Sequence, residues 1–224
     1  MITTVDVETS WQKTETGGYD PSPFHPDNIL VSVGINDEYY FTNHSERVDK
    51  GCASKIQSIL DKTTLLIGHN IKFDLMWLLE SGFKYSGRVY DTMLGEYVLN
   101  RGVRKSLTLE MSCRRRRIGS KDSRIKEFTD RGIPFQDIPA DLVEEYGRID
   151  VEITRRLFDS QMGDLKMAKN KGLLMTLKMM NEFLIVLSDM ERNGININLD
   201  ELSKVEKEYR AEFAYLKQKI DKIV

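Results

Sequence analysis

The order of its β-rich runs constrains the fold of this chain more than any other feature. Three such runs precede any helical pattern: Ile2 to Thr9, Ile29 to Ile35 and Tyr39 to Thr42. The turn-like Asn36-Asp37 lies between the last two and predicts a hairpin. Gly17 to Pro26, rich in Gly and Pro, reads as a loop ahead of them. Strand and helix then alternate. Ser45 to Leu60 reads as a helix with Ser45 at its N-cap, Thr63 to Gly68 as a buried strand, and Ile71 to Ser81 as a helix. Arg88 to Tyr90 reads as a short strand, and Asp91 as the cap of a helix running to Leu99. Ser106 to Arg117 and Ala140 to Gln161 read as further helices. Antiparallel strands followed by strand–helix alternation specify an α/β fold, a mixed sheet flanked by helices.

Past Met162 the pattern changes. Leu173 to Asn193 is a Met/Leu-rich helix closed by Gly194. Asp200 opens a last helix, with Leu202, Val205, Tyr209, Phe213, Leu216, Ile220 and Ile223 in one stripe. The expected organisation is one domain over residues 1–165 and a C-terminal helical extension over 166–224. The stripe needs a surface to bury against, either the main domain or another chain.

Composition narrows the class. Hydrophobic residues at 40% supply a packed core and exclude a disordered chain. No apolar run reaches the roughly 18 residues of a membrane span, and no signal peptide is evident. A cytoplasmic protein with no membrane partner is therefore expected. Cys52 and Cys113 fit a reducing compartment, and with three histidines they leave too few ligands for a structural zinc site. The net charge of −2 names no partner, but the charge is uneven: Arg101 to Lys126 carries +8, leaving −10 elsewhere. A basic stretch in an acidic chain suits an anionic partner such as nucleic acid, or is a solvated face.

Three carboxylate signals stand out. In Asp6-Val7-Glu8, residues two apart on a strand share a face, so two carboxylates repel unless a cation lies between them. Oxygen ligands of this kind suit hard ions such as Mg²⁺; a solvated edge face is the plain alternative. His69-Asn70-Ile71-Lys72-Phe73-Asp74 follows a strand and opens a helix. Asp74 there is either a carboxylate favoured by the helix dipole or a third metal ligand. In Tyr146-Gly147-Arg148-Ile149-Asp150, helical spacing projects a phenol and a carboxylate together.

Asp6, Glu8, Asp74, Tyr146 and Asp150 follow the order, contexts and spacing of the DEDDy 3′–5′ exonucleases. The chain resembles the proofreading exonuclease domain of family A DNA polymerases, the DNA polymerase I type. Asp91-Thr92-Met93-Leu94, Tyr97-Val98-Leu99-Asn100, Ser106-Leu107-Thr108-Leu109 and Asp150-Val151-Glu152-Ile153-Thr154 extend the resemblance. Met190-Glu191-Arg192-Asn193-Gly194-Ile195 resembles the segment that opens the polymerase domain. The resemblance implies a ribonuclease H-like fold and two divalent ions, Mg²⁺ with Mn²⁺ as the alternative, and no small-molecule cofactor. It makes Asp6 the bridging ligand, Glu8 and Asp150 its companions at one ion, and Asp74 the ligand of the second. Tyr146 would orient the attacking water. The implied substrate is a single-stranded or frayed DNA 3′ end, yielding nucleoside 5′-monophosphates in a bacterial or phage-infected cytoplasm. The implied partner is a DNA polymerase domain, in the same or a separate chain; no polymerase activity is expected of this chain alone. A ribonuclease D-like RNA exonuclease and a vestigial exonuclease serving as a scaffold are the alternatives.

Further residues are candidates for substrate contact. Asn70 and Phe73 flank Asp74 and could touch sugar or base, or Phe73 could be core. Trp11 could stack on the terminal base, or be a plain loop residue. Arg114, Arg115, Arg116 and Arg117 could grip phosphates, or form a solvated surface.

Overall fold

The structure, a computed structural model, describes residues 1–120 and 124–222, without the side chains of residues 168 and 171. Lys121 and Asp122 of the basic stretch and Ile223 of the apolar stripe lie outside the described residues.

The chain runs β1 (Ile2–Thr9), β2 (Gln12–Lys13), β3 (Tyr19–Asp20), β4 (Leu30–Ile35), β5 (Glu38–Phe41), α1 (Cys52–Asp61), β6 (Leu65–Gly68) and α2 (Ile71–Glu80). It continues with β7 (Arg88–Asp91), α3 (Thr92–Leu99), α4 (Leu109–Arg116), α5 (Arg124–Thr129), a 3-10 turn at Phe135–Asp137 and α6 (Ala140–Leu165). A second 3-10 turn at Ala168–Asn170 precedes α7 (Lys171–Asn193) and α8 (Leu199–Asp221). Five strands form one mixed sheet in the order β5-β4-β1-β6-β7. β1 is central, antiparallel to β4 and parallel to β6. The expected hairpin is β4–β5, and β6–β7 pair in parallel.

The alternation along β1 divides its two faces. Val5 and Val7 bury with Leu30, Val33 and Leu66 against Ile56 and Leu60 of α1 and Ile71, Leu75 and Leu78 of α2. Each such aliphatic side chain stabilises the fold by about 1.5–3 kcal/mol relative to leaving it in water. Thr4, Asp6 and Glu8 therefore belong to the opposite face. On the β5 side, Tyr39 and Phe41 pack with Ile138, Ala140 and Val143 at the start of α6. On the β7 side, Ile67 and Tyr90 pack with Val98, Phe158 and Leu165.

Several expectations need correction. The helix expected from Ser45 begins instead at Cys52, after Gly51 at φ +70°. The intervening polar residues serve a distant element. The Ser45 hydroxyl donates to the Gln136 carbonyl at 2.6 Å, and the Glu46 carboxylate accepts the Ala140 N–H at 2.8 Å. Glu46 thus caps α6, whose own N-cap residue, Pro139, has no side-chain acceptor. The stretch expected as loop holds the small hairpin β2–β3, and α5 had no counterpart in the sequence reading.

The chain forms two compact units, Met1–Ser188 and Asp189–Val224. In the first, Leu177, Asn181, Leu184 and Ser188 of α7 are buried. In the second unit, Leu202, Val205, Tyr209, Phe213, Leu216 and Ile220 of the stripe are exposed. Among the described residues, no helix is long and apolar enough to cross a membrane.

Candidate active site

The middle of β1 lies in register with β4, pairing Asp6 with Gly34 and Glu8 with Ser32. The register shifts between Glu8 and Thr9, an irregularity that re-aims side chains at the end of a strand. Across this face lies α6, and glycines let it come close. A Cβ on Gly34 would lie 2.8 Å from Val151 Cγ2. A Cβ on Gly147 would lie 2.6 Å from the Tyr39 hydroxyl and 2.8 Å from Tyr39 Cζ. Both are closer than packed atoms tolerate, so only glycine permits this approach of α6 to β4 and β5.

The approach delivers Asp150. One carboxylate oxygen from each of Asp6, Glu8 and Asp150 lies within 4.8 Å of the others. Glu8 and Asp150 are buried, at 8% and 2% exposure. Three anionic oxygen donors in so small a volume repel one another, and a hard divalent cation relieves that repulsion. The donor set therefore fits Mg²⁺ or Mn²⁺ and lacks the softer ligands that zinc prefers.

Asp74 joins from the first turn of α2. Its Oδ1 accepts the N–H of Val7, the residue between Asp6 and Glu8, at 3.1 Å. Burial, and then repulsion from Asp6, hold its carboxyl well above the ordinary carboxylate range; the Val7 N–H pulls the other way. Tyr146 joins from α6. Its phenol hydrogen-bonds Asp150 and feels the charges of Glu8 and Asp6. Burial first, then these anions, push its pKa far above the usual phenol value, so it stays protonated at any working pH.

A second buried carboxylate supports the first. Asp91 is 1% exposed and is the N-cap of α3, with Oδ1 accepting from Met93 N–H at 2.8 Å. The same oxygen accepts the Asn70 N–H at 2.9 Å, tying the start of α2 to that of α3. Burial raises its pKa to about 6 against the pull of those backbone donors. Asn70 itself, at φ +64°, is exposed beside Asp74, while Phe73 packs on the main core.

The arginine run divides. Arg115 pairs with Glu96 at 3.1 Å, and Arg116 with Glu96 at 2.5 Å and Asp164 at 2.7 Å. Glu96 is 3% exposed and needs this countercharge. Arg115 and Arg116 are thus engaged in ion pairs within the fold, whereas Arg114 and Arg117 are exposed. Trp11, a candidate for base stacking, meets Tyr19 and Phe135 edge-on, with centroids at 5.5 and 5.9 Å. Sequence reasoning missed Gly34, Gly147, Glu46, Asp91 as a double cap, and Phe135. The glycine of Tyr-Gly-x-x-Asp was the one legible signal among them.

Comparison with known proteins fits this geometry. The 3′–5′ exonuclease family profile matches residues 13–166. The chain belongs to the 3′–5′ exonuclease family. The matched span begins after Asp6 and Glu8, so those two are placed by geometry. Among curated relatives, DNA polymerase I of Borreliella burgdorferi is 26% identical, over 84% of this chain and 21% of that protein. The DNA polymerase of Bacillus phage SP01 is 24% identical, over 95% of this chain and 24% of that protein. The exonuclease thus spans about a fifth to a quarter of the length of these polymerases. Among solved structures, Brucella melitensis NrnC with bound Mg²⁺ aligns with TM-score 0.61 at 17% identity, over 86% of each chain. The catalytic core of RRP6 from Trypanosoma brucei aligns with TM-score 0.55 at 14% identity, over 82% of this chain and 45% of that one. These two show that the exonuclease shares their ribonuclease H-like fold.

Proposed function

We propose that the exonuclease hydrolyses the terminal phosphodiester of single-stranded or frayed DNA 3′ ends with two divalent cations, in the manner of polymerase proofreading. The observation that carries this reading is the convergence of Asp6, Glu8 and Asp150 oxygens within 4.8 Å, with Asp74 and Tyr146 in the same electrostatic field. Asp6, Glu8 and Asp150 would hold one cation, and Asp6 with Asp74 the second. When bound, such cations lower the pKa of a ligated water and neutralise charge on the phosphate. Asp74, held by the Val7 N–H, keeps one oxygen fixed for its part. The Tyr146 O–H donates to Asp150, and its oxygen accepts from the attacking water and orients it. It is no general base, because its proton is held too tightly. The water oxygen bonds to phosphorus and gives up a proton to solvent, the bond to the 3′ oxygen of the preceding nucleotide breaks, that oxygen takes a proton from solvent, and a nucleoside 5′-monophosphate leaves.

DNA as the substrate is supported by the curated relatives, which are DNA polymerases. A polymerase domain, in the same or a separate chain, is the corresponding partner, in a bacterial or phage-infected cytoplasm. The test is digestion of 3′-end-labelled DNA, RNA and duplex ends with Mg²⁺ or EDTA. DNA single strands should shorten stepwise only with metal. RNA degraded faster than DNA would favour an RNA exonuclease, and no cleavage of any end would make the domain a scaffold.

A further inference from the structure

We infer that Phe135 is a positioning residue for Tyr146, fixing the phenol over the carboxylate cluster, and that Trp11 backs it. The inference rests on the proposed role of Tyr146. Four aromatic rings lead from the rim of the site to its centre: Tyr19 on β3, Trp11, Phe135 and Tyr146. Trp11 meets Phe135 at 90° with centroids 5.9 Å apart, and Phe135 lies tilted at 44° against Tyr146 at 6.1 Å. Edge-to-face and tilted pairs within this range attract through ring quadrupoles and define an orientation as well as a contact.

The row joins the two elements that supply the ligands. Trp11 follows Glu8 at the exit of β1, and Phe135 opens the 3-10 turn that leads into α6. That turn is a fixed platform. The Gln136 carbonyl accepts from the Ser45 N–H at 3.1 Å and the Ser45 hydroxyl at 2.6 Å. His44 Nε2 bonds the Ile138 carbonyl at 2.8 Å, and Glu46 holds the Ala140 N–H. Tyr19 of β3 lies against the loop that leads into this turn, since a Cβ on Gly132 would fall 2.9 Å from the Tyr19 hydroxyl. Phe135, carried on this tethered turn, packs against the Tyr146 ring and so restricts the swing of the phenol away from Asp150.

The test is a double-mutant cycle on the full chain with saturating single-stranded DNA and Mg²⁺. Phe135→Leu keeps the bulk and loses the ring. It should lower kcat by about fivefold to tenfold, the size an aromatic contact supports. KM and the Mg²⁺ concentration for half-maximal rate should stay unchanged. Phe135→Tyr, which keeps the ring, should restore kcat. In a Tyr146→Phe background, Phe135→Leu should have no further effect, because the hydroxyl it positions is gone. An equal loss in both backgrounds overturns the inference and makes Phe135 packing alone. A slow Tyr146→Phe beside a normal Phe135→Leu also overturns it, while leaving the role of Tyr146 standing. A normal rate for Tyr146→Phe overturns that role and the inference with it. Unfolding midpoints of each variant separate lost positioning from lost fold.

Discussion

Gly147→Ala tests how α6 delivers its ligands. In an isolated helix this change would be stabilising by about 1 kcal/mol. Here the new Cβ would clash with Tyr39 Cε2 and lie 2.8 Å from Cζ, where carbon atoms settle at roughly 3.5–4.0 Å, so at least about 1 Å of movement is required. Tyr39 cannot supply it. The ring is 5% exposed, and its hydroxyl is fixed between Ser32 Oγ at 2.8 Å and the Val143 carbonyl at 3.3 Å. The helix must therefore shift outward, carrying Tyr146 and Asp150, which flank the substitution. Overpacking of this kind costs about 1–3 kcal/mol, which outweighs the propensity gain. A displacement of about 1 Å at a reacting centre can lower the rate about 100-fold. Urea unfolding and digestion of a labelled single strand, both in Mg²⁺, measure the two effects. A variant more stable than the parent and equally active would refute the role given to the close approach.

Other perturbations follow from the same contacts. The raised pKa of Asp91, about 6, means that the folded chain holds this proton more tightly than the unfolded chain. Its stabilising contribution is complete below about pH 4 and is lost as pH rises through about 6. In EDTA, unfolding free energy should therefore increase between pH 7 and pH 5, and Asp91→Asn should remove about 1 kcal/mol of that increase; a variant with the parent's slope would contradict this. Tyr146→Phe should lower the rate–pH profile about tenfold without changing its alkaline shape, because the phenol stays protonated; an alkaline limb that disappears with the hydroxyl would show that it titrates. Arg116→Ala should cost about 1.5–3 kcal/mol, because buried Glu96 keeps Arg115 but loses its closer guanidinium partner, whereas Arg114→Gln with Arg117→Gln should leave stability within about 0.5 kcal/mol. The paired Gln variant should also flatten the salt dependence of single-strand binding, and an unchanged slope would make the exposed arginines a solvated surface.

Local patterns made much of the fold readable. β1, β4, β5, β6, α2 and α3 lie close to where alternation, apolar runs and the Asp91 cap put them, because period and capping are encoded within a few residues. What stayed hidden depends on partners far along the chain. Ser45 and Glu46 look like the start of their own helix, yet they are spent on residues 136 and 140. Four consecutive arginines look like one basic patch, yet Arg115 and Arg116 answer Glu96 and Asp164 across the fold. Trp11 looks like a free loop aromatic, and only the fold reveals Phe135 against it. The carboxylates were legible because each sits at a strand end or helix turn whose type could be read locally. Their convergence needed Gly34 and Gly147, whose role appears only when Val151 and Tyr39 are in place.

The most direct measurement is to soak crystals of the chain in Mn²⁺ with a nucleoside 5′-monophosphate and locate the ion by anomalous scattering. Manganese bonded to carboxylate oxygens of Asp6, Glu8 and Asp150 is the expected result, with a second peak on the Asp6–Asp74 side. A crystal whose manganese lies elsewhere, from a chain that still digests DNA in that ion, would contradict the assignment of these carboxylates as the metal centre.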